Sequence, residues 1–174
     1  MNNSINDIVR AKLDRVILGL PKVVGNEAVQ WSQERFLQQN WIGESTEPWQ
    51  ARQKETRKTA GRKLLIQTSR LFRSIRIVEQ NANMVVIGTD VPYAAIHNYG
   101  GVIRQLARSE TFIRNRITRG INTGKFKKGV KAGKGFTFGQ RVIIMPQRQF
   151  IGNSPALKSR LIDKAKAYIT TNLK

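Results

Sequence analysis

The sequence contains no cysteine. Disulfides, thiolate metal ligands and cysteine nucleophiles are therefore all excluded. It contains one histidine, His97. Any serine or threonine nucleophile would have to use that single base, and no G-x-S-x-G elbow presents a hydroxyl to it. Asp90 and His97 are too loosely spaced in the chain to argue a dyad. The 11 acidic residues are scattered and offer neither a metal cluster nor paired carboxylates. No glycine loop of the G-x-x-x-x-G-K-[ST] or G-x-G-x-x-G kind follows a strand. These gaps predict a protein that is not an enzyme and uses no cofactor.

Long apolar runs are also missing. Nothing approaches the roughly 18 consecutive apolar residues of a membrane span. The start, MNNSINDIVRAKLD, lacks the basic and apolar regions of a signal peptide. The expectation is a soluble chain outside the usual secretory route and without a membrane partner.

What the chain does have is positive charge. Lysine and arginine number 31, and the net charge is +20. Residues 101–152 hold 12 basic side chains against one acidic, so more than half of the excess sits there. From Thr111 to Ile162 there is no acidic residue. Such a field attracts polyanions, either nucleic acid or an acidic protein surface. At 174 residues and 40% hydrophobic content, one domain with a real core is expected.

The organisation follows from periodicity. Ser4 and Asp7 suggest an N-cap. Ile5, Ile8, Val9, Lys12, Leu13, Val16, Ile17 and Leu20 then keep helical spacing. Gly19 and Pro21 predict a break or kink near Leu20, with a second helix running to about Gln39. Residues 40–63 predict a loop anchored by Trp41 and Trp49. Leu64, Leu65, Thr68, Leu71 and Phe72 predict a helix ending near Ser74. The β-rich segments 75–78 and 84–88 predict a hairpin across Gln80–Asn83. Pro92 to Tyr99 predicts a short helix that Gly100 stops. Residues 101–140 read as a basic arm, a glycine-rich loop or long hairpin. Residues 141–145 are a strand, and Ser154–Pro155 opens a last helix with Leu157, Leu161, Ile162, Ala165, Tyr168 and Ile169 on one face. The fold class is α+β, one domain over 1–174, with a small antiparallel sheet packed by a long N-terminal, a central and a C-terminal helix. Its parts are N-terminal helices (1–39), a loop (40–63), helix, hairpin and short helix (64–100), the arm (101–140), and a strand with the C-terminal helix (141–174).

His97, between Tyr93 and Tyr99 in VPYAAIHNYGG, is read as packed, with one ring nitrogen donating a hydrogen bond. Trp31, Trp41 and Trp49 are read as core anchors rather than a ligand box. In the arm, Phe112, Phe126, Phe136 and Phe138 are interleaved with cations, a composition that can stack bases and neutralise phosphates. The candidate contacts are Arg114, Arg116, Arg119, Lys125, Lys127, Lys128, Lys131, Lys134 and Arg141. No finger or RNP-like signature accompanies them, so any such binding would be blind to sequence.

Four ordered segments carry a resemblance. They are EPWQARQKET (47–56), LLIQTSRLFRSIRI (64–77), IGTDVPYAAIHNYGG (87–101) and IMPQRQFIGNS (144–154). Together they resemble the phage virion morphogenesis proteins, the Mu-like tail completion or head–tail joining family. The matching positions are Trp49, Thr56, Leu65, Ser69, Leu71, Ser74, Ile75, Tyr93, Ala94, His97, Tyr99, Gly100, Gly101, Pro146, Arg148, Phe150 and Gly152. Gln147 stands where a small residue is usual, and Asn98 where Gln is common. The resemblance implies that Tyr-Ala-x-Ile-His is a structural signature. In this reading Tyr99 and His97 tie the short helix to a loop, Phe150 is a core anchor, and Arg148 bonds carbonyls or a neighbour's carboxylate.

The resemblance further implies a homo-oligomeric ring, six copies in the virion, at the neck or tail end. The ring would be assembled in the bacterial host cytoplasm and would complete the tail so that the head can join. Its partners would be neck or adaptor, tail terminator or tail-tube proteins, with genomic DNA passing through the lumen. A second reading stands beside it, a sequence-nonspecific nucleic-acid-binding protein using residues 101–141.

Overall fold

The computed structural model describes residues 5–57, 59–111, 119–121, 123 and 135–173. Ser4, the expected N-cap, lies outside them. The described residues form two units, Met1–Gly101 with Pro146–Lys174, and Val102–Met145.

In the first unit, helix α1 runs unbroken from Ile5 to Gln38, with Pro21 inside it. The break expected near Leu20 does not occur. A proline costs a helix interior about 3 kcal/mol, so packing has to compensate. Helix α4 (Pro155–Leu173) lies along α1 across this stretch, and a Cβ added at Gly19 would collide with the Tyr168 hydroxyl. α1 ends at Gln39, which takes a left-handed φ of 58°. Its amide donates to the Arg35 carbonyl at 2.8 Å. Its side chain offsets the strain by accepting from the Leu64 amide at 2.7 Å.

The segment expected to be a loop contains a small antiparallel hairpin, β1 (Asn40–Ile42) and β2 (Thr46–Pro48). Strands of three residues with polar partners leave no alternation to read. Trp41 and Trp49 are buried at its base, and Trp41 meets Trp31 edge-on at 5.0 Å. The helix expected over 64–74 shrinks to α2 (Arg70–Ser74). Leu65 and Ser69 adopt left-handed φ values of 61° and 55°, which interrupt helical winding. Leu64, Leu65 and Ile66 instead pack one by one against the core.

Strands β3 (Arg76–Gln80) and β4 (Val85–Gly88) form the expected hairpin, with a bulge between Ile77 and Glu79. It sits on α1 at Gly25, where an added Cβ would come within 2.7 Å of both Ile77 and Val85. Short helix α3 (Ala94–Tyr99) ends at Gly100, whose φ of 70° and ψ of −177° only glycine adopts readily. α4 begins as expected, with the Leu157 amide bonded to Ser154 Oγ at 3.1 Å. Phe36, fully buried, centres the core with Trp49, Leu71, Ile75, Val91, Ala94 and Phe150. It meets Trp49 edge-on at 5.4 Å and tilts against Phe150 at 4.8 Å.

The second unit is built from β6 (Arg108–Thr111) antiparallel to β7 (Gly135–Phe138). Strand β5 (Gly101–Gln105) pairs with β8 (Arg141–Met145). The chain thus leaves through β5 and β6 and returns through β7 and β8, a two-part hairpin.

Candidate functional site

Three segments distant in sequence meet around α3, namely Trp49–Gln50, α3 itself and the stretch 146–152. The Arg148 amide donates to the His97 carbonyl at 2.7 Å. The buried Arg148 guanidinium donates twice to the Gln50 carbonyl, from Nε at 3.1 Å and from Nη2 at 2.9 Å. Trp49 Nε1 donates to the Gln149 carbonyl at 2.9 Å. Asn98 closes the arrangement. Its Oδ1 accepts from the Phe150 and Ile151 amides, each at 3.0 Å, and its Nδ2 donates to the Ile151 carbonyl at 2.9 Å. One buried amide side chain therefore does for the 150–151 backbone what a neighbouring strand would do.

His97 is half-buried beside this arrangement, edge-on to Tyr93 at 6.0 Å. Its Nδ1 is buried and has no hydrogen-bond partner among the described residues. Burial, and then the nearby Arg148 charge, push its pKa below the ordinary value of 6.5. With its pKa held below that value, the ring is mostly neutral at pH 7. Tyr99 is 72% exposed. Ser74 Oγ shares a 2.6 Å hydrogen bond with Thr89 Oγ1 and so links α2 to the end of β4. Leu71, Ala94 and Phe150 are core residues. Gly152 lies beside Gln149, and Pro146 is half-buried. Gly101, at φ 149°, approaches Ile96.

A second cluster joins α1 and α4. Arg160 Nε donates to Glu27 at 2.5 Å, and its Nη1 and Nη2 grip Glu34 at 2.5 and 2.9 Å. Lys164 reaches Glu27 at 3.1 Å. Burial works against the Glu27 carboxylate, but the bonds from Arg160 and Lys164 outweigh it and hold its pKa below the ordinary value. The Arg160 bond lowers that of Glu34 as well. This is a helix clamp, with charge and counter-charge matched.

In the second unit, Arg108 sits over the Phe138 ring at 5.3 Å. Leu106, Arg108, Phe138, Gln140 and Arg141 line an open cleft of about 870 Å³. Arg119 and Arg141 are exposed. Arg114, Arg116, Lys125, Lys127, Lys128, Lys131 and Lys134 lie outside the described residues, as do Phe112 and Phe126. Val102, Leu106, Val142 and Ile144 are exposed apolar side chains of the same unit. Among the described residues, no three metal-ligating side chains cluster, and no helix is long and apolar enough to cross a membrane.

Gln50 is a partner the sequence did not single out, and Asn98 drew notice only as standing where Gln is common. Asn98 stood inside the quoted VPYAAIHNYGG, but only tertiary structure reveals which backbone it serves. Gln50 contributes a carbonyl, which no side-chain pattern encodes. A family model described as the phage virion morphogenesis family matches residues 2–170. No curated protein and no solved structure matches the chain.

Proposed function

This chain belongs to the phage virion morphogenesis family, and we propose that it is a structural protein of the neck or tail end, forming a ring that completes the tail and joins it to the head. One observation carries the reading. Three polar side chains of the motif segments, Trp49, Asn98 and Arg148, turn inward and bond backbone. They tie the segments around α3 to one another. What the protein offers outward is charge and apolar surface, the material of assembly contacts. A closed ring built from one chain requires head-to-tail contacts between unlike faces. The basic second unit would meet acidic neighbours, which are neck, adaptor, terminator or tube proteins, or DNA in the lumen.

The test is light scattering and negative-stain imaging of the protein alone and mixed with tail tubes. Rings, or caps on tube ends, are the expected result. Removal of residues 122–137 should then weaken tail joining or DNA affinity. A monomer that ignores tails would overturn the reading. The second reading, a nucleic-acid binder, is favoured by Arg108 stacked on the exposed Phe138 ring. It requires affinity that falls steeply with salt in a protein that does not assemble.

A further inference from the structure

α1 spans 34 residues and α4 spans 19, about 50 Å against 28 Å. Arg160 and Lys164 hold Glu27, and Tyr168 lies at Gly19. α4 therefore runs antiparallel to α1 and ends at Leu173 while α1 continues. Val16 is buried, whereas every residue from 6 to 15 is exposed. The apolar stripe does not stop where the cover stops. Ile8, Val9, Leu13 and Ile17 continue it at 41–52% exposure. An amphipathic stretch of this length is marginal alone in water and needs a partner face.

The same unit carries a matching depression. Val24, Leu157, Lys158, Leu161, Ile162 and Ala165 line an apolar groove of about 360 Å³ on α4 and α1. Ile162 is 43% exposed at its edge. The overhang and the groove are different surfaces of one chain, so joining them between copies gives a head-to-tail contact. Charge permits it. Residues 5–20 carry Asp7 and Asp14 against Arg10, Lys12 and Arg15, close to balance in a chain of net charge +20. Two copies repel over most of their surfaces but little here, and the exposed Asp14 complements Lys158 at the groove.

Resting on the ring reading above, we infer that the α1 overhang of one copy seats in the α4 groove of the next. Two variants test it, each changing exposed residues, Val9→Asp with Leu13→Asp on the overhang and Ile162→Asp at the groove. Each alone should weaken self-association roughly 100-fold, with circular dichroism unchanged. Mixed, each supplies the half the other lacks, so a 1:1 pair should form and grow no further. A milder pair, Val9→Cys mixed with Ile162→Cys in this cysteine-free chain, should give a disulfide-linked dimer on oxidation. The inference is overturned if only the overhang variant fails to assemble, since the overhang then meets another surface or another tail protein. It is overturned too if both variants assemble like the wild type and the cysteine pair does not cross-link; rings would persist and the functional reading would survive. A wild-type protein that neither self-associates nor caps tails would overturn both.

Discussion

Asn98→Ala would strand two amides and a carbonyl in the interior at once. Each unsatisfied buried group costs about 1–3 kcal/mol. Urea unfolding should show a loss of about 3 kcal/mol or more, a large share of a typical domain's stability. Asn98→Asp keeps the acceptor and should lose less. A change of under 1 kcal/mol for the alanine variant would mean the 150–151 backbone finds other partners. His97 gives a pH signature at the same scale. Its folded pKa is depressed by burial and by Arg148, so the unfolded chain takes the proton first. Stability is complete above about 6.5 and declines as pH falls below it. The urea midpoint should fall between pH 7 and pH 5, and His97→Gln should flatten that limb.

Between elements, the α1–α4 clamp titrates in a lower window. Glu27 and Glu34 have depressed folded pKa values. Their contribution is present above about 4.5 and is lost as pH falls through the folded values. Arg160→Met leaves Glu27, with a side chain 8% exposed, without its main partner. A fully buried pair broken this way costs roughly 3–5 kcal/mol. Arg160 is a third exposed and Lys164 remains, so about 2 kcal/mol is expected. Adding Glu27→Gln should recover part of it in a double-mutant cycle. Gly25 makes the other helix contact. Gly25→Ala gains about 1 kcal/mol of helix propensity. It also forces a methyl against Val85, a β-branched side chain with little freedom to move. A net loss of about 1 kcal/mol is expected, with Val85→Ala restoring it; a more stable Gly25→Ala protein would show the hairpin shifts freely.

For the whole molecule, salt separates the partners. Copies of a chain with net charge +20 repel one another, and screening shortens that repulsion. Contact with phosphates weakens steeply over the same range. Raising salt from about 50 to 300 mM should favour self-assembly while releasing any bound DNA. Sedimentation at both salts reads the two opposite signs. Assembly that collapses with salt would point instead to contacts between opposite charges.

The sequence by itself determined what depends on local spacing and composition. The β3–β4 hairpin follows from β-rich runs around Gln80–Asn83, α3 from Pro92 and Gly100, and the start of α4 from Ser154–Pro155. The exclusion of cysteine chemistry belongs here, as does the family resemblance through ordered motifs, which implied Phe150 as a core anchor. Tertiary structure alone decided the rest. α1 continues through Gly19 and Pro21 because α4 packs across that stretch. The 64–69 segment leaves the helix because its apolar residues fill separate gaps in the core. Asn98, Gln50 and Arg148 form one unit only when chain segments some 50 to 100 residues apart meet. A hydrogen bond to a distant backbone leaves no trace in local periodicity, so that part of the site could be seen only once the chain was folded.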